Sequence, residues 1–132
     1  MSAANVRAIP EGFHTVTPYI VASNARAVID FLQRAFDATL CERIDDEKGL
    51  IRHAQLKIGD SMVMLTDGND GCPPEAGSFY LYLEEVNAAY DRALRAGGVS
   101  VMEPADQFYG DRNAGVRDPC ADDPANQRVA RR

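Results

Sequence analysis

The feature that most constrains this chain is an internal repeat. The stretch FYLYLEEVNAAYDRALRAGGVSVME (Phe79–Glu103) lies over PYIVASNARAVIDFLQRAFDATLCE (Pro18–Glu42) without a gap, at an offset of 61. Tyr19 meets Tyr80, Ala27 meets Ala88, Asp30 meets Asp91, Arg34 meets Arg95, Ala35 meets Ala96 and Glu42 meets Glu103. Apolar character also matches at Ile20 with Leu81, Ala22 with Leu83 and Leu40 with Val101. Any two strand–helix–strand units share periodicity, but six identities in 25 ungapped residues favour duplication. Whatever the first unit folds into, the second should repeat.

The first unit can be read in detail. Thr15–Ala22 is rich in β-branched and aromatic residues and reads as a strand, with Pro18 confined to an edge or bulge because it lacks a ladder donor. Ser23 or Asn24 can cap a helix over Ala25–Phe36, where Val28, Ile29, Leu32 and Phe36 recur at helical spacing. Strands follow at about Ala38–Ile44, Ile51–Ile58 and Met62–Thr66, separated by the turns DDEKG and GDS. DGNDGCPPEAGS (Asp67–Ser78) is a loop by its glycines and prolines. The order is β-α-β-β-β, and the second unit should continue with one strand near Asn113–Arg117 and another inside RDPCADDPANQRVARR (Arg117–Arg132).

Composition narrows the function classes. The 132 residues suit a single domain with a sizeable core. A formal charge of −6 argues against sequence-independent nucleic-acid binding, which needs a basic face. The basic ending RVARR reads as a solvated tail. No apolar run approaches the roughly 20 residues that span a bilayer, so no membrane partner is expected. The N-terminus lacks the apolar stretch of a signal peptide. Cys41, Cys72 and Cys120 form neither a disulfide framework nor a zinc knuckle, which suits a reducing cytoplasm.

Taken together, VTPYIVASNARAVIDFLQRAF, RHAQLKIGDSMVMLTD, YLYLEEVNAAYDRALRAGG and QFYGDRNAGVRDP resemble the vicinal oxygen chelate superfamily. That superfamily holds glyoxalases, extradiol dioxygenases, fosfomycin-resistance enzymes and bleomycin-binding proteins, and the closest likeness is to its PhnB-like glyoxalase/bleomycin-resistance branch. The resemblance spans about Thr15 to Pro119. It implies an α+β fold of two βαβββ modules whose curved mixed sheets surround a shared cavity, often completed in a dimer. The expected organisation is one domain over 1–132, with module one at about 15–67, a loop at 68–77, module two at about 78–119 and an irregular tail at 120–132.

The resemblance also implies four metal-ligand positions, occupied by His or Glu in metal-dependent members. Carried onto this chain they fall on Thr17, near Met64, on Tyr80 and near Ala125. Threonine, methionine and tyrosine do not replace imidazole and carboxylate around a divalent ion, so no cofactor is expected. The alternative is one divalent metal ion bound elsewhere. His14 lies three residues before Thr17 and alternates to the opposite face. In IRHAQLKI, His53, Gln55 and Lys57 share one face, with Ala54, Leu56 and Ile58 on the other. His53 could hydrogen-bond a ligand, fill a structural role or act as an acid or base, and no partner carboxylate stands out.

The same alternation turns Thr17, Tyr19, Met62, Met64, Tyr80 and Tyr82 inward, a lining suited to a planar or partly apolar ligand unless these residues merely fill a core. The expected ligand-binding set is therefore Thr17, Tyr19, His53, Gln55, Met64, Tyr80 and Tyr82. The GDR run at Gly110–Arg112 is too short to mark an anion site. The leading function is non-catalytic binding of a small molecule. The alternatives are a metal-dependent lyase, isomerase, transferase or dioxygenase, and a degenerate paralogue without ligand.

After Pro119 the family pattern expects a glycine turn and an apolar closing strand, but Cys120 and Ala121 follow. ADDPANQRVARR holds one β-branched residue and no aromatic. The eighth strand is therefore expected to be weak or missing, with Asn126–Ala130 as a possible short substitute. The exposed edge and uncovered apolar face would favour a homodimer or aggregation.

Overall fold

The computed structural model describes residues 7–75, 77–119 and 126–131. Their order is β1 (Tyr19–Ala22), α1 (Ala25–Phe36), β2 (Thr39–Asp45), β3 (Ile51–Ile58), β4 (Ser61–Asp67), β5 (Ser78–Tyr82), α2 (Val86–Arg95), β6 (Val99–Asp106), β7 (Arg112–Arg117) and β8 (Asn126–Arg131). The fold is α+β. Two four-stranded mixed sheets run in the orders β1-β4-β3-β2 and β5-β8-β7-β6. In each sheet the first strand pairs parallel with the last, and the remaining pairs are antiparallel.

Local chemistry explains α1. Asn24 accepts a hydrogen bond from the Ala27 N–H at 3.1 Å, satisfying one of the donors that a helix start leaves open. The helix buries Val28, Ile29, Phe31, Leu32 and Phe36, the stripe expected from 3.6-residue spacing, and ends at Asp37 in the left-handed region. In β3 the alternation is equally plain, with Ala54, Leu56 and Ile58 buried against the core. The two halves meet largely through their helices, where α1 packs on α2. There Arg92 Nε donates to the Ala35 carbonyl at 3.2 Å. Gly98 is needed at this junction because a Cβ would fall 2.8 Å from the Ala93 carbonyl oxygen and 3.1 Å from the Phe31 ring.

Asp67, at the end of β4, ties three elements together. Its buried carboxylate accepts from the Ala25 N–H at 2.8 Å and the Ile51 N–H at 2.7 Å, joining the start of α1 to the start of β3. Arg52 returns a bond to the Asp67 carbonyl at 3.0 Å.

Two expectations are corrected here. The first strand begins at Tyr19 rather than Thr15, because Thr17 turns its hydroxyl onto the His14 carbonyl at 3.2 Å and Pro18 supplies no donor. The closing strand, expected to be weak or missing with Asn126–Ala130 as a short substitute, is present. Asn126–Arg131 lies between β5 and β7, with Val129 in register with both Leu81 and Ala114. Ladder bonds use backbone groups that every non-proline residue carries, so a polar sequence can form a strand when neighbours flank it on both sides. The expected positions at Cys120, Ala121 and Ala125 lie outside the described residues. Among the described residues, no helix is long and apolar enough to cross a membrane.

Candidate functional site

The seven residues expected to bind ligand divide between the two sheets. On the first, Tyr19, Met64 and Gln55 stand in one cross-strand row, since Tyr19 pairs with Met64 and Met64 with Gln55. His53 joins them through a 2.9 Å contact between its Nε2 and Gln55 Nε2. Thr17 sits just before β1.

On the second sheet, Tyr80 and Tyr82 alternate with Phe79, Leu81 and Leu83 as expected, and their ring centroids stand 5.2 Å apart. Both remain accessible, at 41% and 60%. Their hydroxyls converge on Asp111, a carboxylate only 3% exposed: Tyr80 donates to Oδ2 at 3.1 Å and Tyr82 to the same oxygen at 3.4 Å. Fully buried Asn113 donates from Nδ2 to the Tyr80 hydroxyl oxygen at 3.0 Å and the Tyr109 hydroxyl oxygen at 2.8 Å. Gln107 in turn donates to Asn113 Oδ1 at 3.1 Å. A buried amide with every hydrogen-bonding group occupied holds both phenols in place.

The network raises the Tyr80 pKa above the ordinary phenol value of 10.0. The bond from Asn113 is the largest single influence and acts downward, but burial, the bonds to Asp111 and Tyr109, and the Asp111 charge together outweigh it. Tyr80 is therefore a neutral phenol at physiological pH.

Beside these tyrosines lies a cavity of ≈ 490 Å³ between the modules. Its apolar wall comes from Ile20 of β1, Val28 and Leu32 of α1, and Phe79, Leu81 and Leu83 at the β5 edge. Asp60, Ser61, Tyr80, Tyr82 and Asp118 also border it. Of the seven expected residues, only Tyr80 and Tyr82 line it. The structure thus does not gather the expected set into one place. Asp111 and Asn113 were not singled out in the sequence. The available signal was the polar residue at position 113 facing away from Ala114 and Val116, both buried.

The metal positions implied by the family likeness do not suit an ion. Thr17 is engaged with the His14 carbonyl, Tyr80 with Asp111, and Met64 offers only a thioether. The fourth position lies outside the described residues. Among the described residues, no three His, Cys, Asp or Glu side chains cluster so as to hold a metal.

A sequence model of the Glyoxalase/Bleomycin resistance protein/Dioxygenase superfamily matches residues 12–121. The uncharacterized protein Mb0911c of Mycobacterium bovis is 35% identical over 115 residues, covering 79% of this chain and 76% of its own. Among solved structures, a glyoxalase-related enzyme from Fulvimarina pelagi aligns with a TM-score of 0.72 at 11% identity, over 90% of this chain and 88% of that one. TnmS3, an antibiotic binding protein from Streptomyces sp. CB03234, aligns at 0.68 with 21% identity, over 96% and 98% of the two chains. At such identities the structural likeness speaks for the fold alone.

Proposed function

The chain belongs to the Glyoxalase/Bleomycin resistance protein/Dioxygenase superfamily, and from that membership we propose that it binds a small, flat, partly apolar molecule in the cavity beside Tyr80 and Tyr82. The observation that carries this reading is the cavity itself. Its ≈ 490 Å³ falls within the roughly 300–1,000 Å³ of small-molecule sites, and it combines apolar walls with a few fixed polar groups. The antibiotic-binding role of TnmS3, a structural relative, is compatible with it. Placement in the PhnB-like branch, which rests on the sequence motifs alone, is part of the same proposal.

Binding without metal chemistry is the favoured mode, because the donors at the carried positions are a threonine, a methionine and a tyrosine engaged elsewhere. The reading of a degenerate chain without ligand loses its main support with the presence of β8. A homodimer is also proposed. The first-sheet group of Tyr19, His53, Gln55 and Met64 and the tyrosine face of the second sheet would each be completed by a second copy, and superfamily members commonly form dimers. Tyr19, Val99 and Val101 are exposed apolar surface that such a contact would cover.

A thermal-shift panel of planar aromatic molecules and of divalent metals tests the proposal, since a ligand that binds only the native state raises its melting temperature. Stabilisation by aromatic compounds and not by zinc, nickel, manganese or iron is expected. Stabilisation by a metal alone would overturn the reading and favour a metal-dependent enzyme.

A further inference from the structure

The two sheets present unlike edges to the cavity. β1 and β5 are edge strands, one in each sheet. The Pro18 and Ala22 carbonyls accept from the Met64 and Gly68 N–H groups at 2.9 Å each, so these residues turn their main chain toward β4. The Val21 carbonyl points the other way and accepts from the Glu75 N–H at 3.1 Å, which covers the outer edge of β1. Among the described residues, no main-chain bond covers the outer edge of β5. The repeat offset of 61 carries Pro18 onto Phe79, Val21 onto Tyr82 and Ala22 onto Leu83. By that correspondence Phe79, Leu81 and Leu83 turn their main chain toward β8, while Tyr80 and Tyr82 turn theirs outward.

This explains how five consecutive residues, Phe79–Leu83, all border one cavity. The Leu81 and Leu83 side chains pack against the core, whereas those of Tyr80 and Tyr82 leave on the opposite face toward Asp111. The tyrosines reach the cavity through their main chain. Resting on the proposed binding reading, we infer that the free edge of β5 is the polar recognition element of the cavity and that it takes flat aromatic lactams. The Tyr80 carbonyl and the Tyr82 N–H are neighbours on that edge, an acceptor beside a donor. A cyclic amide holds its own N–H and C=O side by side in the ring plane and meets both. An open-chain trans amide directs the two groups oppositely and meets only one. Among the described residues no basic side chain lines the cavity, while Asp60 and Asp118 border it, so a neutral ligand is favoured over an anion.

Three rigid, flat tricycles provide the test: phenanthridinone (a lactam, with donor and acceptor adjacent), carbazole (a donor alone) and benzo[c]chromen-6-one (the lactone, with acceptors alone). Their affinities can be read from ligand fluorescence, because the chain has no tryptophan to interfere. The native protein is expected to bind the lactam about fivefold more tightly than either of the others. Tyr82→Pro removes the outward N–H, which an edge strand tolerates because no ladder bond depends on it. In that variant the advantage of the lactam over carbazole should fall to about twofold or less. Tyr82→Ala loses the same side chain but keeps the N–H, and it should retain the advantage.

Amide hydrogen exchange of the native protein gives a check that does not depend on a variant folding. Without ligand, the Tyr80 and Tyr82 amides should exchange at least about tenfold faster than that of Leu81, which is paired to β8. Saturating phenanthridinone should slow Tyr82, and saturating carbazole should slow it less. A Tyr82 amide as protected as Leu81 in the free protein would overturn the inference and leave the binding reading intact. Equal affinity for the three tricycles, or a lactam advantage over carbazole that survives Tyr82→Pro, would do the same. Binding of none of the three would overturn both.

Discussion

The Tyr80 hydroxyl donates to Asp111 Oδ2 across 3.1 Å, joining a strand at the start of the second module to the end of its β6–β7 hairpin. Together with the bond from Asn113, that contact fixes the phenol and occupies its proton. Because Asp111 takes the Tyr82 proton as well, the two tyrosines are set as a unit.

The pH dependence of this pair has a definite sign. Tyr80 binds its proton more tightly when folded than when unfolded, so its contribution to stability is fully present below the unfolded tyrosine pKa. The contribution is lost as pH rises through the folded value, because the unfolded chain ionises first. Urea denaturation from pH 8 to about 11.5 should show a fall in stability at the alkaline end that Tyr80→Phe reduces. An identical profile in the variant would remove Tyr80 as its source.

Asp67 gives the largest expected loss from a single substitution. Asp67→Ala leaves the Ala25 and Ile51 N–H groups without their acceptor in a buried position. Each orphaned donor costs about 1–3 kcal/mol, so a loss of about 2–6 kcal/mol is expected in chemical denaturation. Asp67→Asn keeps one acceptor oxygen and should lose less. A change within about 0.5 kcal/mol, the range of ordinary surface substitutions, would contradict the clamp.

How much of this was legible in the sequence follows from the kind of force involved. The bounds of α1 and β3 were readable because the apolar residues of Ala25–Phe36 and Ile51–Ile58 carry the helical and alternating periods themselves, and Asn24 is a short-range cap. The strand start at Thr15 was misread because the local turn from Thr17 to His14 overrides β propensity. β8 was legible only as the alternative short strand Asn126–Ala130, because ladder pairing on both sides, rather than apolar content, makes Asn126–Arg131 a strand. Asp111 and Asn113 escaped notice because their tyrosine partners on β5 lie some thirty residues upstream. No local pattern announces such a meeting.

The role of β8 is open to a direct check. Deleting residues 126–132 would strip ladder partners from β5 and β7 together. A loss of more than about 2 kcal/mol, or failure to fold, is expected, well beyond the roughly 0.5 kcal/mol of a solvated tail. Unchanged stability would mean that the second sheet closes without this strand.

The central claim, that the cavity between the modules is the ligand site, is tested most directly by mapping amide chemical shifts during a carbazole titration. The account predicts saturable shifts concentrated at Leu32, at Gly59–Ser61 and at Tyr80–Leu83, the segments that line the cavity. Shifts confined to the row of Tyr19, Gln55 and Met64, or no saturable change at the cavity residues, would contradict it.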